Sequence, residues 1–219
     1  MSELLLKIVN VGHNYGKVQV LENLNLTIQH HGIVGIYGKS GAGKSTLFGI
    51  IGGLLKPKSG KVFIEERDVY SSMNTTLSVR RRLGFVFQLF NLIPELTVYK
   101  NIEIALKLRE GRSDPQQIRQ LLREMHIEDL EGRYPSELSV GEQQRVAIAR
   151  AVVGSPKLVL ADEPTGSVDE HNKQGILELF KKVKARGITL LITSHDLSTL
   201  EICDRVLELR EGKLWEVQQ

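Results

Sequence analysis

Residues 38–46 have the sequence GKSGAGKST and directly follow IVGIY, a mostly apolar and β-branched stretch at residues 33–37. The loop matches the pattern G-x-x-x-x-G-K-[ST], and glycine lets a backbone curl or approach a ligand closely. A loop of this kind turns successive backbone N–H groups inward, and the following helix adds the positive end of its dipole. The stretch therefore predicts a phosphate-binding loop between a buried strand and a helix.

The residues of this loop have separate expected roles. We expect Lys44 to reach the β- and γ-phosphates of a nucleotide and the hydroxyl group of Ser45 to hold Mg²⁺. A glycine-rich strand-to-helix turn without a ligand is the alternative. The strand before the loop and the helical sequence TLFGIIGGLL after it favour phosphate binding. The predicted nucleotide contacts of the loop are Gly38, Lys39, Ser40, Gly41, Ala42, Gly43, Lys44, Ser45 and Thr46.

The composition is that of a globular protein with ample material for a core. The chain has 219 residues, of which 41% are hydrophobic, and its net charge of +3 is too small to indicate a nucleic-acid partner. The single cysteine, Cys203, excludes an internal disulfide and fits a reducing compartment. No apolar run reaches the roughly 18 residues that span a bilayer. We therefore expect a cytosolic protein without a signal peptide or an added regulatory domain, bound to a membrane only through a partner.

The order of the predicted elements indicates an α/β fold. Residues 4–12 and 17–28 are predicted as strands joined by the turn HNYG, and we assign them to an N-terminal antiparallel β subdomain. From residue 33 onward, short apolar strands such as 84–88 alternate with helices such as 44–55. This alternation predicts a mostly parallel sheet that is covered on both faces.

A helical block interrupts the alternation after residue 89, where apolar positions recur at helical spacing. We interpret this block as an insertion on one side of the sheet. The predicted organisation is a single domain over residues 1–219, with a nucleotide-binding core of residues 1–88 and 138–219 and a helical subdomain of residues 89–137.

A pair of carboxylates, Asp162 and Glu163, ends the predicted strand LVLA. The carboxyl ends of parallel strands lie at the edge of the sheet where the phosphate loop also opens. Asp162 is there able to bind Mg²⁺, and Glu163 is able to accept a proton from an attacking water molecule. A strand-ending turn before a helix is the alternative, and the phosphate loop favours the catalytic interpretation.

Two further polar residues, Gln88 and His195, follow apolar strands and are expected at the same edge as Asp162. Taken singly, a glutamine or a histidine in such a place is usually a capping or surface residue. Their shared location favours a functional role for both. His195 could hold the γ-phosphate, and Gln88 could contact Mg²⁺ or the lytic water.

The sequence LSVGEQQR at residues 138–145 opens a predicted helix. Ser139 can cap this helix with Glu142 as its capping-box partner, and this local role explains both residues. It does not explain Gly141, because a glycine inside a helix costs about 1 kcal/mol relative to alanine. A glycine fits this position if a phosphate group approaches the backbone closely.

Six motifs occur in the order GKSGAGKST, FVFQ, LSVGEQQR, LVLADEPT, GSVD and ITSHD. Together they resemble the ATP-binding cassette (ABC) ATPases, which have a P-loop NTPase core, over essentially the whole chain. The resemblance implies that Tyr15 stacks on adenine and that two cassettes meet head to tail. In such a dimer, Ser139 and Gly141 of one chain contact the γ-phosphate held by the other. Ser167 and Asp169 then lie along the seam between the chains.

Val140 departs from the glycine that the family typically has at this place, and its β-branched side chain could crowd the dimer interface. The resemblance also implies a role for the helical segment 89–137. This segment would contact the membrane helices of a transporter, beside the Gln88 loop.

The resemblance favours an ATP-hydrolysing subunit of an ABC transporter, with ATP and Mg²⁺ as cofactors. It would act as an ATP-dependent homodimer, held at the inner face of the cell membrane by an integral permease. The stretches FNLIPELTVYKNIEIAL and ADEPTGSVD are similar to the branch that serves lipoprotein release, macrolide export and cell division, which indicates export or mechanical coupling. The alternatives are a soluble ABC ATPase, such as that of iron–sulfur cluster assembly, and a nucleotide or small-molecule kinase. A kinase would have an acceptor site and a lid, and it would not carry LSVGEQQR.

Overall fold

The computed structural model describes residues 4–217, so the outermost residues of the predicted domain lie outside it. The strands are β1 (Leu4–Tyr15), β2 (Val18–Gln29), β3 (Ile33–Tyr37), β4 (Ser59–Ile64), β5 (Arg67–Asp68), β6 (Leu83–Val86), β7 (Leu158–Asp162), β8 (Thr189–Ser194), β9 (Arg205–Arg210) and β10 (Lys213–Glu216). The α-helices are α1 (Lys44–Ile51), α2 (Met73–Arg80), α3 (Val98–Glu110), α4 (Pro115–Glu124), α5 (Val140–Val152) and α6 (Glu170–Ala185). None of the helices in this described part of the chain combines the length and the apolar composition needed to cross a bilayer.

The strands form two sheets. An antiparallel sheet has the strand order β2-β1-β4-β5, and the second sheet has the order β10-β9-β3-β8-β7-β6. In the second sheet β9, β3, β8, β7 and β6 run parallel, and β10 pairs antiparallel with β9. The predicted α/β fold, with a mostly parallel sheet and an N-terminal antiparallel sheet, is thus confirmed.

The central strands of the parallel sheet are buried on both faces, which explains their nearly continuous apolar sequences. In β7, Leu158 and Leu160 belong to a core between the two sheets that also contains Leu47 of α1. The alternate residues Val159 and Ala161 belong to a second core, which β7 shares with α3, α5 and α6. Because successive side chains of a strand point to opposite faces, the sheet is covered on both sides.

The parallel strands bring their carboxyl ends to one edge of the sheet. β3 ends at Tyr37, immediately before the phosphate loop, while β7 ends at Asp162 and β8 ends at Ser194. β8 pairs with both β3 and β7, so these three ends are neighbours. Open α/β sheets bind their ligands at this edge.

Helices α3 and α4 lie in the segment 89–137, where the spacing of apolar residues predicts them. The side chain of Thr97 caps α3 by accepting a hydrogen bond from the backbone N–H of Lys100. Gly111 ends α3 in the left-handed conformation, with a φ angle of 75°. The side chain of Asp114 caps α4 in the same manner as Thr97 caps α3.

Helix α1 is shorter than the sequence-based prediction. It ends at Ile51 rather than at residue 55, because Gly52 and Gly53 follow and Gly53 has a φ angle of 69° that helical residues do not adopt. A side chain at Gly52 would also meet the ring of Phe85 at 2.5 Å. The glycine pair therefore ends the helix and lets β6 approach it.

Other predicted boundaries are also corrected. β6 ends at Val86, so Gln88 lies in the following loop rather than at the end of a strand. β1 extends to Tyr15, which shortens the predicted HNYG turn to the two residues between β1 and β2. Helix α2 is not predicted, because its sequence MNTTLSVR has weak helical periodicity and its clearest local signal is the side chain of Ser72 that caps it.

Candidate active site

A cleft of about 680 Å³ opens beside the phosphate loop, within the range of roughly 300–1,000 Å³ that is usual for ligand pockets. Its lining brings together many of the predicted site residues: Tyr15, Lys39, Ser40, Gly41, Gly43, Lys44, Ser45, Thr46, Gln88, Glu163 and His195. Val20 and Tyr37 also line the cleft, although neither is predicted from the sequence. The place of Tyr37 directly before the phosphate loop is a sequence signal for its presence there. The roles assigned to the predicted residues stay predictions.

The glycines of the phosphate loop are required by its shape. Gly41 and Gly43 have φ angles of 78° and 100°, a region that favours glycine. A side chain at Gly43 would meet the side chain of Val20 at 2.7 Å, so the loop packs closely against β2. Gly43 occupies the N-cap position of α1 and has no side chain to satisfy the first amides of the helix. Those amides are therefore available to an anion.

Lys44 is buried, with 6% of its surface exposed. Its Nζ donates hydrogen bonds to the carbonyl oxygens of Gly38 at 2.5 Å and of Lys39 at 3.1 Å. The same Nζ lies 3.1 Å from Oε1 of Glu163. The loop thus holds a buried cation beside the amides at the start of α1, where it can bind a phosphate group.

Glu163 joins the two residues that the sequence assigns to the γ-phosphate. Its Oε1 pairs with Lys44, and its Oε2 lies 2.8 Å from Nδ1 of His195. Oε2 also accepts a hydrogen bond from the backbone N–H of His195 at 3.3 Å. The backbone N–H of Glu163 donates to Oγ1 of Thr193 on β8 at 3.1 Å. This network holds the carboxylate at the cleft in a placement that suits a general base.

The residues predicted to hold Mg²⁺ supply oxygen atoms of the kind that this ion prefers. Ser45 lines the main cleft together with Gln88, and it also lines a small cavity of about 150 Å³ that Asp162 borders. Oδ1 of Asp162 accepts a hydrogen bond from Oγ1 of Thr193 at 2.6 Å, which orients the carboxylate. The hydroxyl of Ser45 thus borders both the cleft and the small cavity, with the amide of Gln88 at the first and the carboxylate of Asp162 at the second. This set of oxygen donors fits Mg²⁺.

The loop that carries Gln88 is held by two neighbouring elements. The carbonyl oxygen of Gln88 accepts a hydrogen bond from Oγ of Ser167 at 3.4 Å. The carbonyl oxygens of Phe90 and Asn91 accept hydrogen bonds from the guanidinium group of Arg150 on α5. Burial lowers the pKa of Arg150. The position of Gln88 in the cleft is thus linked to both Ser167 and α5.

Tyr15, at the end of β1, presents an exposed aromatic ring to the cleft, with 54% of its surface accessible. The ring of the buried His13 supports it edge to face, with ring centroids 4.9 Å apart and an interplanar angle of 73°. An open aromatic face of this kind suits stacking on a nucleotide base.

Among residues 4–217, the cleft lining does not include Ser139, Gly141 or Asp169. Ser139 instead caps α5 in a capping box with Glu142, and hydrogen bonds from the hydroxyl and backbone N–H of Ser139 lower the pKa of Glu142. Asp169 caps α6 in turn. The structure therefore places these three predicted residues at the starts of two helices, outside the cleft of their own chain.

A phosphate loop, a carboxylate pair and a histidine meet at the carboxyl edge of a parallel sheet, and this combination defines a P-loop protein that hydrolyses a nucleotide. Residues 21–166 match the family model described as ABC transporter. The chain belongs to this ABC transporter family. It is an ATPase cassette, which binds and hydrolyses ATP.

Similar proteins agree with this assignment. The lipoprotein-releasing system ATP-binding protein LolD of Aquifex aeolicus is 38% identical over 218 residues, which cover 98% of this chain and 97% of LolD. The macrolide export ATP-binding/permease protein MacB of Vibrio parahaemolyticus is 36% identical over 222 residues, which cover 98% of this chain and 34% of MacB. The chain therefore spans only about a third of the length of that relative.

A solved structure gives the same result for the fold. The dimeric structure of MJ0796, a bacterial ABC transporter cassette, has a TM-score of 0.89 and 35% identity, and the match covers 98% of this chain and 100% of that one. The same cassette is known in a post-hydrolysis state bound to ADP and Pi, with a TM-score of 0.88, 34% identity, and the same coverage of both chains. The predicted ABC family and its resemblance to the lipoprotein-release and macrolide-export branch are confirmed.

Proposed function

We propose that two copies of this chain bind ATP head to tail and power a membrane permease. The observation that carries the proposal is the division of the predicted site. The described cleft of one chain contains the phosphate loop, Glu163 and His195, whereas Ser139 and Gly141 lie at the start of α5, outside its lining. We infer that these residues reach a nucleotide in the cleft of a second chain. The similarity to a dimeric cassette supports the same arrangement.

Each residue of the cleft has a role in hydrolysis under this proposal. Lys44 and His195 hold the γ-phosphate, and Tyr15 stacks on the adenine. Glu163 accepts the proton of the attacking water, because its carboxylate is the acceptor at the edge where the phosphate loop opens. Mg²⁺, when bound, neutralises charge on the β- and γ-phosphates, and its ligands would be Ser45, Asp162 and Gln88.

We propose that the permease binds to an apolar groove of about 440 Å³ beside the segment 89–137. Leu108, which is 67% exposed, and the rings of Phe85 and Phe87 give the groove its apolar lining. Arg80 and Arg81 add positive charge, as does Arg150. An apolar groove bordered by cations suits an amphipathic helix with acidic residues, and we infer that a cytoplasmic helix of the permease occupies it.

One loop borders both proposed sites. Gln88 lines the ATP cleft, whereas Phe87 and Asn91 on either side of it line the groove. We infer that a movement of Gln88 toward the nucleotide would also move groove residues on the same loop. This continuity supports a role in coupling ATP hydrolysis to a membrane partner.

The proposed location follows from the proposed partner. The chain would lie on the cytoplasmic face of the cell membrane, held there by its permease. Within the chain, residues 89–137 would form a helical subdomain and residues 1–88 and 138–219 the nucleotide-binding core. The name of the MacB relative combines an ATP-binding part with a permease, which supports a partner of this class. We propose export or mechanical coupling as the work done, as in the lipoprotein-release and macrolide-export branch.

The test uses Glu163→Gln, since the amide keeps the size of the carboxylate but cannot accept a proton. Hydrolysis should fall by roughly 10²–10⁴-fold, while ATP still binds. Size-exclusion chromatography should show a shift to dimer with ATP, and Gly141→Asp should abolish that shift. Glu201→Gln, the same change at an exposed position, is the matched control and should behave as wild type. Normal hydrolysis, or a variant that stays monomeric with ATP bound, would contradict the proposal.

A further inference from the structure

The side chain of Asn172, in the first turn of α6, is hydrogen-bonded to Asp169, the residue that caps this helix. Its Nδ2 donates hydrogen bonds to both carboxylate oxygens of Asp169, at 2.9 Å and 3.2 Å. The backbone N–H of Asn172 donates to Oδ1 of the same carboxylate at 2.9 Å. Asn172 therefore fixes the orientation of Asp169, which the cassette dimer is predicted to place along its seam.

The other side of the Asn172 amide faces the start of α5. A methyl group at Gly141 would lie 2.9 Å from Oδ1, 3.0 Å from Cγ and 3.3 Å from Nδ2 of Asn172. The first separation is shorter than Cβ contacts allow and the other two are tight, so a side chain at Gly141 would require the Asn172 amide to shift. The contact gives a reason for a glycine in α5 within one chain, in addition to an approaching phosphate group.

We propose that Asn172 is a positioning residue for the two-chain ATP site. Its amide holds Asp169 on one side and lies against the place of Gly141 on the other. Residues 167–169 and the start of α5 thereby reach the partner chain's nucleotide at a fixed separation. The inference rests on the proposed two-chain site and deepens it. Asn172 acts through these two neighbours, because its amide is hydrogen-bonded to Asp169 and lies against the start of α5.

The first test replaces Asn172 with aspartate in the Glu163→Gln background, which holds the ATP dimer. Asn172→Asp keeps the size of the side chain but removes both hydrogen bonds to Asp169 and adds a repelling charge. The ATP concentration for half-maximal dimerisation, measured by analytical ultracentrifugation, should rise roughly tenfold or more. ATP affinity at protein concentrations below dimerisation should not change. Gln174→Glu, the same amide-to-carboxylate change at an exposed position of α6, should match the parent.

The second test uses the clash at Gly141. Gly141→Ala should impair dimerisation in the same background, because its methyl group displaces the Asn172 amide, and Asn172→Ala should impair it by removing that amide. Because both changes act through Asn172, Gly141→Ala should raise the required ATP concentration less in an Asn172→Ala background than in the parent. This arm remains informative if Asn172→Asp is poorly folded.

Two results would overturn the inference while leaving the two-chain function intact. One is an Asn172→Asp variant that dimerises as its parent does, and the other is a Gly141→Ala/Asn172→Ala double variant whose loss is the full sum of the two single losses. If the Glu163→Gln parent itself stays monomeric with ATP bound, the two-chain function and this inference fail together. Dimerisation of the Glu163→Gln variant with ATP therefore distinguishes a failure of the Asn172 inference from a failure of the two-chain function.

Discussion

Lys44 and Glu163 form an ion pair, with Nζ 3.1 Å from Oε1 and with both side chains largely buried. The predicted partner of Lys44 is the β- and γ-phosphates, and the predicted partner of Glu163 is the attacking water. In the ion pair each group satisfies the charge of the other. We therefore predict that a phosphate that binds Lys44 replaces the carboxylate, and that this exchange leaves Oε1 of Glu163 available to accept a proton.

The exchange predicts that Glu163→Gln tightens ATP binding to a single chain. A neutral amide holds Lys44 less strongly than a carboxylate does, and it does not repel the γ-phosphate. We expect affinity to rise by roughly five- to thirtyfold, or about 1–2 kcal/mol. Calorimetric titration at protein concentrations below dimerisation measures this, with Glu201→Gln as the control. An unchanged or weaker affinity would show that the ion pair does not compete with ATP.

Lys44→Ala should remove most ATP binding. The side chain is the buried cation that the loop presents beside its amides, and alanine leaves the carboxylate of Glu163 near the phosphates without a counter-charge. Fluorescence titration with a labelled nucleotide gives the affinity. Lys7→Ala, at an exposed position of β1, serves as the control for loss of a lysine charge. Binding that survives Lys44→Ala would refute the assigned role.

Tyr15→Ala should weaken adenine nucleotides by about 1–3 kcal/mol, the range for a base that loses an aromatic stacking partner. Tripolyphosphate has no base, so its affinity should stay near the wild-type value. Tyr15→Phe keeps the ring and should bind ATP nearly normally. Competition titrations with both ligands decide the matter, since an equal loss for both would make Tyr15 a structural residue.

Much of the fold follows from local sequence. In β7 the run LVLAD is apolar through Ala161 because both of its faces are buried, and the polar Asp162 marks its exit at the sheet edge. Helix α2 could not be predicted in this way. Its capping residue Ser72 is a common signal, and only the tertiary contacts of Thr76 and Val79, which are buried, fix the short helix.

The sequence predicts a site residue where a local motif fixes its place, as it does for Lys44 in the phosphate loop. It does not predict the ion pair between Lys44 and Glu163, because these residues are 119 positions apart and are brought together by the order of strands in the sheet. Gly141 illustrates the same limit. Its reason lies partly in Asn172, on another helix, and no spacing within LSVGEQQR reveals that contact.

Glu103 is a largely buried carboxylate on α3. It accepts hydrogen bonds from Lys100 Nζ at 2.7 Å and Ser113 Oγ at 2.8 Å, and it pairs with Lys107 Nζ at 3.1 Å. The hydrogen bond from Lys100, with those from Ser113 and Lys107, lowers the pKa of Glu103 from 4.5 to about 2. A pKa lowered by folding contributes stability above the unfolded value, and this stability is lost as the pH falls from 4.5 toward 2.

Glu103→Gln should therefore lower the melting temperature at neutral pH. The melting temperature of the variant should also fall less than that of the wild type as the pH is lowered from 4.5 toward 2. Thermal unfolding followed by circular dichroism across the range from pH 4.5 to about 2 measures both effects. Glu95→Gln, at an exposed position before α3, should keep the wild-type profile. An acid dependence in Glu103→Gln as steep as that of wild type would show that the network adds nothing to stability.

Leu108→Asp should separate ATP hydrolysis from membrane binding. The side chain lies in the groove that we assign to the permease, and burying a leucine is worth about 1.5–3 kcal/mol. The fraction of the chain that sediments with membranes of the source cell should fall by roughly tenfold or more. ATP hydrolysis by the isolated chain should be unchanged, because Leu108 is not among the described residues that line the cleft. Ile104→Asp, on the same helix but away from the groove lining described for residues 4–217, is the matched control and should still bind. Equal binding by Leu108→Asp and wild type would place the permease contact elsewhere.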